Sequence, residues 1–234
     1  MQQPRPETGK QQNTRWNMAP QHNAVRVFIR KAFDMVSETG EISEASTPRG
    51  WRARIQSRLD PAPSELDLGQ TLKPAAILLP IIEREEPSIL LTKRSEAMPT
   101  HAGQISFPGG RVHPGDASLV ETALRELQEE TGIEREFVDV GGFLDPYETV
   151  NSGFMILPVV GFVREGFTLS VSAREVAEVF EVPLDYLCDP KNRSRMSVER
   201  QGAMREFHTI PFGEHTIWGA TAEIIVNLSG RLCA

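Results

Sequence analysis

Glu126, Glu129 and Glu130 stand at i, i+3 and i+4, and at about 100° per residue such positions share one side of a helix. Carboxylates this close raise one another's proton affinity unless a positive charge lies among them. Their donors are all hard oxygens. The partner they suit is therefore a hard divalent cation, Mg²⁺ or Mn²⁺, and the ordinary alternative is a solvated acidic helix face. The neighbouring residues supply the helix: Asp116 is the expected N-cap, Gly132 the expected stop, and Val120, Ala123, Leu124 and Leu127 fill the adjoining buried sector. A Pro-Gly-Gly loop at 108–110 and a Pro-Gly turn at 114–115 precede it.

The elements that position this helix belong to a chain of 234 residues with net charge −7, long enough for one sizeable domain with appendages. That charge argues against general binding of nucleic acid or anionic membrane. No apolar run approaches the ~20 residues needed to span a bilayer, and the polar start lacks a secretory apolar stretch, so a cytoplasmic protein is expected. Cys188 and Cys233 form neither a disulfide framework nor a metal-spacing motif.

Residues 1–23 are polar and expected to be a disordered tail. Residues 24–70 read as a helical extension and linker. Within it, Val25, Phe28, Ile29, Ala32, Phe33 and Val36 make one helix face that should pack on the main domain or on a second subunit, which allows a homodimer; a basic helix at 51–59 follows. The main domain is expected over 71–234. Strands are predicted at 75–82, 87–92, 137–144, 154–163 and 167–171, then a mixed acidic and apolar segment at 175–182. A small helix after Pro183, a pair of strands within 196–210, and a helix over 218–228 ended by Gly230 complete the reading. Strands on both sides of one central helix, with a second helix late, imply an α/β fold whose mixed sheet is covered on both faces.

Arg125-Glu126-Leu127-Gln128-Glu129-Glu130-Thr131-Gly132-Ile133 resembles the core of the Nudix box, Arg-Glu-U-x-Glu-Glu-x-Gly-U with U aliphatic, at every fixed position. The resemblance implies a Nudix-type α/β/α sandwich and a metal-dependent pyrophosphohydrolase that cleaves a nucleoside diphosphate linked to another moiety. Carried over, Glu126, Glu129 and Glu130 would be the catalytic ligands of Mg²⁺ or Mn²⁺, and Arg125 would brace the loop by pairing with a carboxylate. Ahead of this core, Gly110 and Asp116 each stand one place earlier than the family's glycine and glutamate. This offset resembles the branch that cleaves coenzyme A, and it leaves helix capping as the expected role of Asp116.

Leu90-Leu91-Thr92-Lys93-Arg94-Ser95, then Gly103, then Phe107-Pro108-Gly109-Gly110 resemble the signature of that coenzyme A pyrophosphatase branch, with Pro99 where the pattern has arginine. The substrate so implied is coenzyme A, cleaved to 3′,5′-ADP and 4′-phosphopantetheine. Its phosphates need cations beyond the metal. Arg94 and Arg111, flanking the Gly-Gly loop, are the candidates, with free N–H groups at Gly109 and Gly110 as further donors; either arginine could instead be structural. A carboxylate must also take a proton from the attacking water, and Glu175 and Glu178 are candidates beside the box glutamates. Two other readings stay open: hydrolysis of ADP-ribose, a dinucleoside polyphosphate or a damaged nucleotide, and a catalytically silent Nudix-like module that binds a nucleotide or partner.

Overall fold

Strand β1 (Lys73–Ile82) is an almost unbroken apolar run, the pattern of a strand covered on both faces. Its even residues Ala76, Leu78 and Ile82 join one core and Leu79 and Ile81 the other. The computed structural model describes residues 48–63, 66, 71–149, 152–200 and 203–233. The expected tail at 1–23 and amphipathic helix at 24–37 lie outside them.

The main sheet runs β3 (Ile105–Ser106), β2 (Ser88–Arg94), β1, β7 (Phe154–Val163), β5 (Val138–Phe143). Three further strands pair with members of that row: β4 (Gly109–Arg111) with β1, β6 (Tyr147–Glu148) with β7, and β8 (Val176–Pro183) with β2. β1 and β7 are parallel, in register from Lys73 opposite Phe154 to Ile82 opposite Val163, while the other pairs are antiparallel. Helix α2 (Leu119–Thr131) lies in the crossover between them. A separate antiparallel sheet has the order β11 (His215–Trp218), β10 (Ala203–Phe212), β9 (Ser194–Arg200).

Helix α2 covers one face, setting Ala123, Leu124 and Leu127 on Ala76, Leu78, Leu90 and Val159. The other face carries α1 (Pro48–Gln56), α3 (Leu184–Cys188), α4 (Gly219–Cys233) and the inner side of the small sheet. Each Leu or Ile buried here contributes roughly 1.5–3 kcal/mol. The architecture is an α/β/α sandwich around a mixed sheet.

Two local expectations are corrected. Residues 167–171 form no strand: Phe167 stacks edge-on against Phe137, and the amides of Ser170 and Ser172 donate to the carbonyls of Thr131 and Glu130 at 2.8 and 3.2 Å. That segment satisfies the C-terminal carbonyls of α2 instead of a neighbouring strand. Gly230 does not end α4, because burial of Leu228 and Leu232 and a 2.7 Å bond from Arg54 to the Leu232 carbonyl outweigh the ~1 kcal/mol cost of a helical glycine. On helix α1, Arg54 is exposed and one aromatic anchors the helix. Trp51 is buried against Phe162, and Arg52 pairs with Glu83 and Asp139.

Candidate active site

The N-cap of α2 is Ser118, whose hydroxyl accepts the Glu121 amide at 3.2 Å, and not Asp116 as its position suggested. Asp116 instead takes the fork of Arg125, Nε at 2.9 Å and Nη2 at 3.0 Å, together with the His113 amide and the Thr122 hydroxyl, both at 2.8 Å. A charged two-bond partner outcompetes a neutral amide for a carboxylate, while a serine hydroxyl suffices for the cap. The same bonds hold the Asp116 carboxyl well below the usual carboxylate range. With Nε and Nη2 on Asp116, Arg125 uses Nη1 for Glu126 at 2.8 Å and Glu129 at 2.9 Å, and Nη2 also reaches the Arg111 carbonyl at 3.2 Å. Lysine has no such fork and could not serve all four.

The three glutamates are graded rather than displayed together: side-chain exposure is 56 % for Glu129 and 14 % for Glu126, and Glu130 is only 2 % exposed. Glu130 follows Leu127 by three residues, so it turns toward the sheet and not into an open acidic face. There it accepts the Thr92 hydroxyl at 3.3 Å and the Gly109 amide. That amide is therefore committed to Glu130, correcting its expected role as a phosphate donor. Gly109 lies so tightly on β1 that a Cβ would meet the Ala76 carbonyl at 2.6 Å; a Cβ on Gly110 would meet Glu126 Oε1 at 2.3 Å. Burial first, and the Glu126 charge second, push Glu130 up to about 7, with Arg94 opposing. Burial also raises Glu126, against the pull of Arg125.

The other expected site residues divide. Arg94, at the end of β2, acts electrostatically on Glu130 and keeps a buried Nε without a partner. Arg111 is exposed, with its guanidinium 4.9 Å from the Phe154 ring centre. Glu175 sits in a turn whose anchor is Ser172: the Ser172 amide holds the Glu130 carbonyl, and its carbonyl accepts the amides of Glu175 and Val176 at 2.9 Å. The Glu175 charge is felt by Glu126. Glu178 is a correction. It stands opposite Lys93 in the β2–β8 ladder, one step out of phase with Thr92, so strand alternation sends it to the face away from α2. It meets buried His215 there, at 3.3 Å.

Among the described residues no three acidic, His or Cys side chains already converge as a coordinating group, because Arg125 occupies Glu126 and Glu129. The donor chemistry nevertheless fits a hard divalent cation. Glu130 is a buried carboxylate with a second carboxylate beside it and no ion-pair partner among the described residues. This has a consequence for the protein with divalent cations chelated away. The folded pKa of Glu130, about 7, lies above its ordinary 4.5, so the fold binds more protons between those values, and stability present below 4.5 is lost as pH rises through 7. The thermal midpoint should fall over that window by the equivalent of about 3 kcal/mol. Calorimetry at several pH values measures it, and Glu130→Gln should flatten the slope; an unchanged slope contradicts the assignment to Glu130.

Residues 71–199 match the family model described as NUDIX domain. A protein named "Uncharacterized Nudix hydrolase NudL" from Photorhabdus laumondii subsp. laumondii is 39% identical over 179 residues, 76% of this chain and 94% of that protein. Its namesake from Yersinia enterocolitica is 41% identical over 158 residues, 68% of this chain and 80% of that protein. Among solved structures, a MutT/nudix family protein from Enterococcus faecalis aligns with a TM-score of 0.48 and 18% identity, over 93% of this chain and 76% of that one.

Proposed function

We propose, from the premise that this chain belongs to the Nudix family, that it is a coenzyme A diphosphatase giving 3′,5′-ADP and 4′-phosphopantetheine. Family membership makes it a pyrophosphohydrolase of nucleoside diphosphate derivatives; coenzyme A as the substrate is the further step. One observation carries it. The residues that resemble the coenzyme A signature build the wall against which the box carboxylates lie: Thr92 and Gly109 donate to Glu130, Arg94 faces it electrostatically, and Gly110 leaves room for Glu126.

A divalent cation, Mg²⁺ or Mn²⁺, held by Glu126, Glu129 and Glu130 would supply neutralisation of the diphosphate and acidification of the attacking water. Arg125, fixed on Asp116, sets the direction of Glu126 and Glu129. The Arg94 guanidinium, whose charge acts on Glu130, is one phosphate contact, and Arg111, supported on Phe154, is the second. Glu175 makes no ion pair among the described residues and stands near Glu126, so it is the group that takes the water proton. A cavity of about 360 Å³ between the β5–β6 connection and α4 has Asp145 and Glu223 in its walls and lies across the sheet from α2. Its charge is wrong for a diphosphate. Among the described residues no helix is long and apolar enough to cross a membrane, and the proposal includes a cytoplasmic location.

Pro99 is exposed in the loop 95–104, so one cation of the signature is missing. A lost charge-assisted contact is worth roughly 1.5–3 kcal/mol, or about ten- to a hundredfold in binding. Coenzyme A should therefore be cleaved with a high KM, and dephospho-coenzyme A should be poorer again by a similar factor. A substrate panel with Mg²⁺ and Mn²⁺ and mass-identified products tests this. Far more efficient turnover of ADP-ribose or a dinucleoside polyphosphate would replace coenzyme A as the substrate.

A further inference from the structure

The small sheet ends in an open edge. β9 pairs with β10 on one side, and among the described residues nothing pairs with its other side, along which residues 194–199 are all exposed. A six-residue exposed edge offers unpaired backbone donors and acceptors to another strand. The sheet's outer face is also unusually apolar: Met196, Val198 and Trp218 are 49, 44 and 42 % exposed. Met196 stands opposite Phe207, whose ring lies 5.9 Å from Trp218, so these side chains form one strip across three strands.

We propose that β9 is a homodimer interface in which two copies pair antiparallel about Ser197 and join the small sheets into one of six strands. The sequence of the strand selects a second copy as occupant. With Ser197 opposite its own symmetry mate, Met196 meets Val198 of the other copy on the apolar face, and Arg195 meets Glu199 on the polar face. Each match occurs twice by symmetry, as an isologous contact requires. Registers displaced by one residue set Arg195 against Val198 or Met196 against Glu199; displacement by two sets Arg195 against Ser197 or Ser197 against Glu199. Only the register about Ser197 puts charge on opposite charge and apolar on apolar. Arg195 has two long contacts to give up, Nη1 to Glu206 at 3.5 Å and Nε to His208 Nε2 at 3.4 Å, and the Arg195 and Glu206 side chains are mostly exposed. The inference is independent of the substrate.

The full chain should sediment at micromolar concentration with twice its 26.1 kDa mass. Arg195→Glu and Glu199→Arg each turn two attractive pairs into two repulsive ones, and each should weaken self-association by about 10- to 100-fold. Mixing the two variants restores opposite charges at every pair. The mixture should therefore form a heterodimer that neither variant forms as a homodimer, and the double variant should dimerise again. Both positions are exposed, so folding, checked by thermal midpoint, should be unchanged. A full chain that stays monomeric at about 100 µM, including because residues 1–47 cover the strand, overturns the proposal. So does a dimer that ignores the single reversals, or a mixture that fails to associate.

Discussion

Glu130→Gln should lower kcat by about three orders of magnitude or more while leaving the protein at least as stable as before. The two effects have one origin. Glu130 is a buried charge beside the Glu126 charge, so its neutral isostere removes a repulsion and a desolvation cost. An amide oxygen can still accept from Thr92 or Gly109, and the amide NH₂ can donate to Glu126. Glu129→Gln should show the same loss of turnover with little change in stability, since Glu129 is more than half exposed. Turnover and calorimetry on the same preparations separate the effects. Near-native rates in both variants would sink the assignment of a metal site to these glutamates.

Gly110→Ala should reduce kcat/KM by about a hundredfold with almost no cost in stability. The new Cβ would lie 2.3 Å from Glu126 Oε1, and the carboxylate, at the end of a flexible side chain, can swing aside. A displacement of about 1 Å in a catalytic group is enough for a loss of that size. Gly109→Ala is the control with the opposite profile, because its Cβ would strike the backbone of Ala76 and Ile77 at 2.6 and 2.7 Å. That variant should lose stability outright. If Gly110→Ala retains full activity, the close approach of the loop to Glu126 has no part in catalysis.

The carboxylates and their helix could be read from the sequence because spacing alone fixes which residues share a helical sector. Exposure within that sector could not. Glu130 turns inward because β2 and the Gly109 amide offer it donors, which is tertiary information. Asp116 was the capping residue expected from position, but Arg125, nine residues later, takes its carboxylate, and the cap falls to Ser118 two residues on. Glu175 and Glu178 looked equivalent along the chain, but only the ladder register of β8 tells which face Glu178 occupies. The amides of residues 170 and 172 were also beyond reach, since their partners are helix carbonyls some forty residues away. The pair β9 and β10 was legible within 196–210, but β11 and the open edge of β9 were not, because pairing partners are set in three dimensions.

The parallel pairing of β1 with β7 also bears on how the protein comes to be folded. Every residue pair in that ladder is separated by 81 positions, as from Lys73 to Phe154, whereas the neighbouring β1–β2 turn joins Ile81 to Ile89. By the logarithmic dependence of closure entropy on length, bringing β1 to β7 costs about 2 kcal/mol more than closing that turn. Helix α2 lies inside the long loop. A hairpin of β1 and β2 can form from its own local sequence, but the floor on which α2 rests is complete only after β7 has been synthesised and docked. Hydrolytic competence is thus tied to the slowest kind of contact the chain makes, and a ribosome-bound fragment ending before residue 154 carries the whole catalytic helix without the surface that orients it.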